Sequence, residues 1–355
     1  PCYQLLITFV VDDENTTSMP VIKKNVSLKP YNTFGVDVSA SYFVKANTLE
    51  KILYAINFAS YNQLPIFIIG GGSNMLLTKN LNGVMVNPFI QGLTLTEETD
   101  SNAIVKVGAG MTWDALVNIA VDHGWGGIEN LSNIPGSVGA APIQNIGAYG
   151  VEAKDAIFKV EAIEIKTRKS LEFSNSECRF GYRDSIFKQE LRGKVIVTHV
   201  WFKLSKKPEY QLAYGNLKEE VEKLGGVSLK NIRQAVINIR SAKLPDPAVI
   251  GNAGSFFKNP VVEDVPFQKI QQDYPDVPHF SVSESHVKIP AGWLIEQCGW
   301  KGKRVGSCGV HDKQALVLVN YGGATGEEIL TLARSIQQSV YDRFHINLDM
   351  EVNIC

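Results

Sequence analysis

Hydrophobic positions recur at every second residue through Val160–Phe173 and Val195–Leu204, a spacing that predicts strands buried on one face. A different period governs Ser228–Lys243. There Ile232, Ala235, Val236 and Ile239 share one face of a helix, which Leu244-Pro245-Asp246-Pro247 ends. A closing helix opens with the capping box Thr325-Gly326-Glu327-Glu328 and sets Ile329, Leu332, Ile336, Val340 and Phe344 against a core.

Nearer the start, the pattern reads strand, helix, strand, loop, strand. Phe43–Ala46 is extended, a capping box Asn47-Thr48-Leu49-Glu50 opens a helix to about Ser60, and Pro65–Ile69 is a buried strand running into Gly70-Gly71-Gly72-Ser73-Asn74. A second unit follows, with strand Ile104–Val107, turn Gly108-Ala109-Gly110 and a helix from Thr112 to about His123. The glycine-rich, charge-poor stretch Gly124–Gly150 suits backbone packed closely against something rather than long helices. The strands close an α+β domain near Lys206-Lys207-Pro208, with a further boundary near Leu244.

A chain of 355 residues, 45% hydrophobic and 20% charged, is long enough for two or three domains with substantial cores. Its formal charge of −1 is spread without a basic stripe, which excludes a nucleic-acid partner from the expectation. The five cysteines are odd in number, scattered and free of any Cys-x-x-Cys pair, so they read as reduced thiols in a cytoplasmic protein rather than as disulfides or a zinc site. His286 and His311 lack metal-ligand spacing, so no metal is expected. The apolar run Leu5–Val11 is too short to span a bilayer and has no basic region before it, as a signal peptide would. Residues 1–28, with polar Asp12–Ser18 ahead of Met19, are expected to form a poorly structured extension.

The candidate chemistry begins at Gly70–Asn74. This loop has neither the Gly-x-Gly-x-x-Gly spacing of a dinucleotide site nor the lysine of a P-loop. Consecutive glycines after a strand either form a tight turn or expose N–H groups that cradle a diphosphate, with the Ser73 hydroxyl and Asn74 amide nearby. The segment Ile128–Gly150 then resembles the flavin-binding segment of the bacterial UDP-N-acetylenolpyruvoylglucosamine reductases. The resemblance extends over most of the chain after Lys29: Pro30–Gly35, Tyr182–Phe187, Gly251–Pro260 and Ala291–Ile295 match in order. Tyr214-Gly215-Asn216-Leu217 and the helix ending at Lys243 resemble the first-type subgroup, which carries a mobile tyrosine loop.

The resemblance implies an α+β fold class. A two-part FAD-binding domain of vanillyl-alcohol-oxidase type would span residues 29–240, an α/β substrate-binding domain 241–345, and a segment 346–355 would return a glutamate to the active site. It implies FAD held by Gly70, Gly71, Gly72, Ser73 and Asn74, and by Pro135, Gly136, Gly139, Ala140, Ile143 and Gly147. Gly71 departs from the pattern, since several members carry a charged residue there. The implied reaction passes a hydride from NADPH through FAD to UDP-N-acetylglucosamine enolpyruvate, a step of peptidoglycan precursor synthesis. Hydride arrival at the methylene carbon leaves an enolate, which needs a cation and a proton donor.

By resemblance Arg183 is that cation, Ser255 the proton donor and Glu351 a carboxyl that helps handle the enolate. Tyr149, Tyr182, Tyr214, Arg240, Lys243, Asn259 and Gln314 match positions that contact the nucleotide sugar, its diphosphate or the nicotinamide cofactor. Read alone, these residues also suit plain roles: Arg183 beside Asp184 as a surface ion pair, Ser255 as a turn hydroxyl, Glu351 as a solvated strand residue, Tyr182 as a packed ring. Two alternatives remain open: an oxidase or dehydrogenase of the same flavin fold on another substrate, and a nucleotide-sugar binder without flavin.

Overall fold

The structure, a computed structural model, describes residues 21–355, which divide into two units. The first comprises residues 40–71 and 81–242 together with the described stretch before Ser27. The second gathers Ser27–Ser39, Gly72–Asn80 and Lys243–Cys355. Its longest segment starts at Lys243, and it takes two short segments from the N-terminal half as well. Residues 1–20 of the expected extension lie outside the described residues. Its remainder is more ordered than expected, because Lys23–Ser27 is a strand.

Two larger sheets build the first unit. One has the order Lys23–Ser27, Ser39–Ala46, Leu81–Pro88, Ile66–Ile68, with the last three strands parallel. Helix Leu49–Tyr61 covers it through Ile52, Ala55, Ile56 and Ala59. The helix is capped by Thr48, whose hydroxyl accepts from Lys51 N, one residue later than the expected box. Strand Ile66–Ile68 is shorter and less buried than expected, since it stands at the sheet edge with a neighbour on one side only.

The other sheet is antiparallel, in the order Ser170–Ser174, Ile157–Glu164, Val195–Ser205, Asn102–Gly108, Leu93–Glu98. The alternation read as continuous over Val160–Phe173 is two strands of a hairpin. Its turn holds Arg168 at φ 63°, and with no glycine or proline it left no breaker in the sequence. Helix Trp113–Asp122 buries Trp113 edge-to-face on Phe202, and helix Leu229–Lys243 buries the predicted stripe.

The second unit has an antiparallel sheet in the order Gly251–Ser255, Val317–Asn320, Cys308–Val310, Arg304–Val305. Helix Gly326–Phe344 carries the predicted capping box at Thr325 and Glu328. The C-terminal strand Asn353–Ile354 runs parallel to Met75–Leu76. No helix among the described residues is long and apolar enough to cross a membrane.

Candidate active site

In the first unit three loops meet backbone to backbone. A Cβ on Gly71 would lie 2.8 Å from Gly136 Cα, one on Gly70 2.6 Å from Ser137 Oγ, and one on Gly139 2.6 Å from Ala109 Cβ. Trp113 N donates to Gly136 O, Val138 N to Met111 O and Gly139 N to Ala109 O, which staples the 136–140 segment to the turn after strand Asn102–Gly108. The N–H groups of Gly70, Gly71 and Gly136 donate to no carbonyl among the described residues, and the Ser137 hydroxyl makes no hydrogen bond to them. Such grouped donors on a glycine backbone fit the diphosphate of a dinucleotide, which needs N–H groups close in and no side chains in the way. Ala140 and Ile143 follow in the same segment, each half-buried, and Pro135 before it is exposed.

Downstream, the segment reaches the turn that bears Arg183. Ser185 Oγ donates to Ile143 O at 2.6 Å, Asn145 Nδ2 to Gly181 O at 2.9 Å and Arg183 Nη2 to Gly147 O at 2.6 Å. Gly147 is needed here, because a Cβ would come within 2.8 Å of the Arg183 guanidinium. Arg183 itself sits at φ 54°, a left-handed conformation that an arginine adopts only when its surroundings hold it there. The exposed Tyr182 ring lies 5.5 Å from its guanidinium carbon.

A second cation stands on helix Leu229–Lys243. Arg240 Nε donates to Asn133 O at 3.2 Å, and no carboxylate among the described residues pairs with it. The nearby Asp114 is taken by Arg233, which grips both its oxygens at 2.8 Å. Burial pulls the Arg240 guanidinium below the usual arginine value, Tyr149 and Asp114 oppose the shift and Arg183 adds to it. An arginine so placed stays cationic at neutral pH. Burial likewise pushes the Tyr149 phenol up, against the pull of Arg240. The Tyr149 and Tyr214 rings meet edge to face at 5.9 Å, and Asn130 Nδ2 ties the carbonyls of Tyr149 and Gln211 together. Lys243 is the exposed last residue of the helix.

In the second unit Ser255 ends strand Gly251–Ser255, after Gly254 at φ 68°. The next residues pair with the C-terminal segment: Lys258 N donates to Asp349 O at 2.9 Å and Glu351 N to Phe256 O at 2.8 Å, so Glu351 stands beside the strand end that carries Ser255. Asn74 Nδ2 reaches Glu351 O at 3.3 Å, and Asn74 O accepts from Asn353 N. Gly72 leaves no room for a side chain, as a Cβ would meet Tyr31 O at 1.9 Å, and Ser73 follows it half-buried. Asn259 Oδ1 receives Ala291 N at 2.9 Å, and Gln314 Oε1 receives Leu316 N. Both amides thus shape the start of helix Ala291–Gln297 and the turn before strand Val317–Asn320.

The structure therefore gathers Gly70, Gly71, Pro135, Gly136, Gly139, Ala140, Ile143, Gly147, Tyr149, Tyr182, Arg183, Tyr214 and Arg240 on the first unit. Gly72, Ser73, Asn74, Lys243, Ser255, Asn259, Gln314 and Glu351 belong to the second. Sequence reading overlooked Ser137, Asn133 and Asn145. Short polar loop residues leave no periodic signal, although an Asn within a glycine-rich loop is a common left-handed position, as Asn133 and Asn145 are here.

A family model for the UDP-N-acetylenolpyruvoylglucosamine reductase C-terminal domain matches residues 246–355, and one for an FAD binding domain matches residues 40–167. The UDP-N-acetylenolpyruvoylglucosamine reductase of Bacteroides fragilis is 47% identical over 332 residues, 94% of this chain and 99% of the relative. That of Flavobacterium johnsoniae is 46% identical over 336 residues, with coverage of 94% and 99%. The solved structure of the Thermus caldophilus reductase aligns over 95% of this chain and 99% of its own, at 26% identity and a TM-score of 0.65.

Proposed function

The chain belongs to the UDP-N-acetylenolpyruvoylglucosamine reductase family, and from that membership we propose how its own residues divide the work. It is an FAD-dependent oxidoreductase that reduces UDP-N-acetylglucosamine enolpyruvate to UDP-N-acetylmuramate with NADPH as reductant, a step toward peptidoglycan. FAD, when bound, takes a hydride from NADPH and passes it to the methylene carbon of the enol ether. Every other step falls to the protein.

The N–H groups of Gly70, Gly71 and Gly136 and the Ser137 hydroxyl would hold the FAD diphosphate. Once the methylene carbon has gained hydride, the electron pair of the double bond moves onto the adjacent carbon and into the carboxylate. Arg183 stabilises this enolate, because a guanidinium keeps its charge and can give two hydrogen bonds to one carboxylate. Ser255 Oγ then delivers a proton to the carbon and is reprotonated from solvent, with Glu351 beside the same strand end to share the developing charge. Arg240, with no carboxylate partner among the described residues, suits the substrate diphosphate, and Lys243 extends the same cationic helix end. Tyr149, Tyr182 and Tyr214 offer rings and hydroxyls to the sugar and nucleotide.

The observation that supports this division best is Arg183 itself: a half-buried guanidinium in a left-handed turn, drawn to the flavin-binding segment through Gly147 O. Rapid-mixing kinetics on Arg183→Ala tests it. Flavin bleaching by NADPH should survive while recovery on adding the enolpyruvyl sugar slows by a hundredfold or more, on the order of one lost electrostatic donor. A variant that only binds NADPH more weakly would remove Arg183 from this role.

A further inference from the structure

The Arg183 turn does not hold itself. Asn145, fully buried, lies at φ 47° in the flavin-binding segment, and its amide uses both its donors and its oxygen on backbone and one carboxylate. Oδ1 accepts from Lys154 N at 3.0 Å, while Nδ2 donates to Gly181 O at 2.9 Å and to Glu152 Oε2 at 3.0 Å. Gly181 opens the turn in which Gly181 and Asp184 bond each other's backbone around Arg183. The far side of the turn is fastened by the buried Ser185, whose hydroxyl donates to Ile143 O and accepts from Phe187 N.

Arg183 is thus flanked by two ties to one segment, Ile143–Gly147, and its own Nη2 bonds the end of that segment at Gly147 O. Both ties come from buried side chains, and loss of Ser185 Oγ would leave Ile143 O without its donor, while loss of the Asn145 amide would leave Gly181 O with the Asp184 N–H alone. Around Asn145 the backbone is also unusual: Tyr149 at φ 48° and Arg183 at φ 54° occupy the left-handed region with side chains that do not favour it.

We propose that Asn145 is a positioning residue for the second half-reaction: through Gly181 O it fixes the left-handed turn and thereby the place and direction of the Arg183 guanidinium. This rests on the reading of Arg183 given above. Asn145 touches neither substrate nor flavin in this scheme, so removing it should change reactivity only where Arg183 acts.

The test is a double-mutant cycle with Asn145→Gly, which removes the amide without penalising φ 47°, in wild-type and Arg183→Ala backgrounds. Two readouts are followed: flavin recovery by the enolpyruvyl sugar, and calorimetric affinity of the flavin-free protein for UDP-N-acetylmuramate, whose carboxylate Arg183 would grip. Asn145→Gly is expected to slow recovery by about ten- to hundredfold, the scale of an ångström-sized misplacement, and to leave bleaching by NADPH within about twofold. In the Arg183→Ala background it should add nothing to either readout. A further loss in that background, or an equal fall in both half-reactions, would overturn the proposal, because a merely structural asparagine acts on everything the fold supports. If Arg183→Ala alone leaves recovery intact, the reading of Arg183 fails instead, which the single variant shows separately. Should Asn145→Gly not fold, Ser185→Ala breaks the second tie and must show the same selectivity and the same dependence on Arg183.

Discussion

In the proposed scheme the Ser255 hydroxyl gives a proton to carbon, which works only against a base as strong as an enolate and therefore only after hydride transfer. Ser255→Ala should accordingly keep NADPH-dependent bleaching and slow flavin recovery by roughly a hundredfold or more, the scale of a lost general acid. Stopped-flow absorbance at the flavin band measures both phases, and unimpaired recovery would remove Ser255 from the reaction. A second residue prediction concerns Asp114. The Arg233 hydrogen bonds first, then Asn133 N–H and the Arg240 field, hold its carboxyl below the usual value against the opposing effect of burial. A depressed carboxyl stabilises the fold above the unfolded value of 3.8 and loses that contribution as pH falls through the folded one. Thermal melts between pH 5 and 3 should fall less steeply for Asp114→Asn than for wild type, and parallel slopes would contradict the assignment. Residues of this kind were only partly legible. Arg183, Ser255 and Glu351 stood within motifs, whereas Asn145 reaches the distant Gly181 O through its side chain and Asn133 meets Asp114 and Arg240 through its backbone, contacts that no spacing announces.

Among the elements, four helices were read nearly to the residue, because a 3.6-residue period and a cap are local facts, whereas Leu217–Lys223, Asp264–Asp273 and Ala291–Gln297, each ten residues or fewer, were not read as helices. Helix Leu229–Lys243 also sets Arg233 and Arg240 two turns apart on one side, one neutralising Asp114 and the other bonding Asn133 O. Cutting its buried stripe with Ile232→Ala should cost about 2–5 kcal/mol, read as a lower urea midpoint at unchanged slope. The loops behave differently. A Cβ at position 71 meets the backbone of Gly136, which cannot swing aside as a side-chain end would. Gly71→Ala is therefore expected to weaken FAD binding roughly tenfold, about one lost hydrogen bond to a charged group, with little change in far-ultraviolet dichroism. Full flavin retention after extensive dialysis would show that the loop relaxes freely. The same close approach gives a physical setting to the departure at Gly71, since a charged side chain there would need a different path for the 136–137 backbone. The hairpin Ile157–Ser174 escaped the sequence reading because its turn residues are ordinary lysines, threonine and arginine.

For the whole molecule, the proline-rich stop after helix Leu229–Lys243 was legible in sequence, but the composition of the second unit was not. Segments Ser27–Ser39 and Gly72–Asn80 join it through bonds that span the chain: Asn252 N to Thr33 O, Asn320 Nδ2 to Phe34 O, and the parallel pairing of Asn353–Ile354 with Met75–Leu76. Such long-range pairings have no local sequence signal, and they divide the loop Gly70–Asn74 between the two units. The central claim is that one bound flavin serves both NADPH and the enolpyruvyl sugar. Its most direct test is the visible spectrum of the purified protein under anaerobic conditions, recorded after NADPH and again after UDP-N-acetylglucosamine enolpyruvate. The account predicts a flavin band that bleaches with NADPH and returns in full with the sugar; a band that bleaches but never recovers would contradict it.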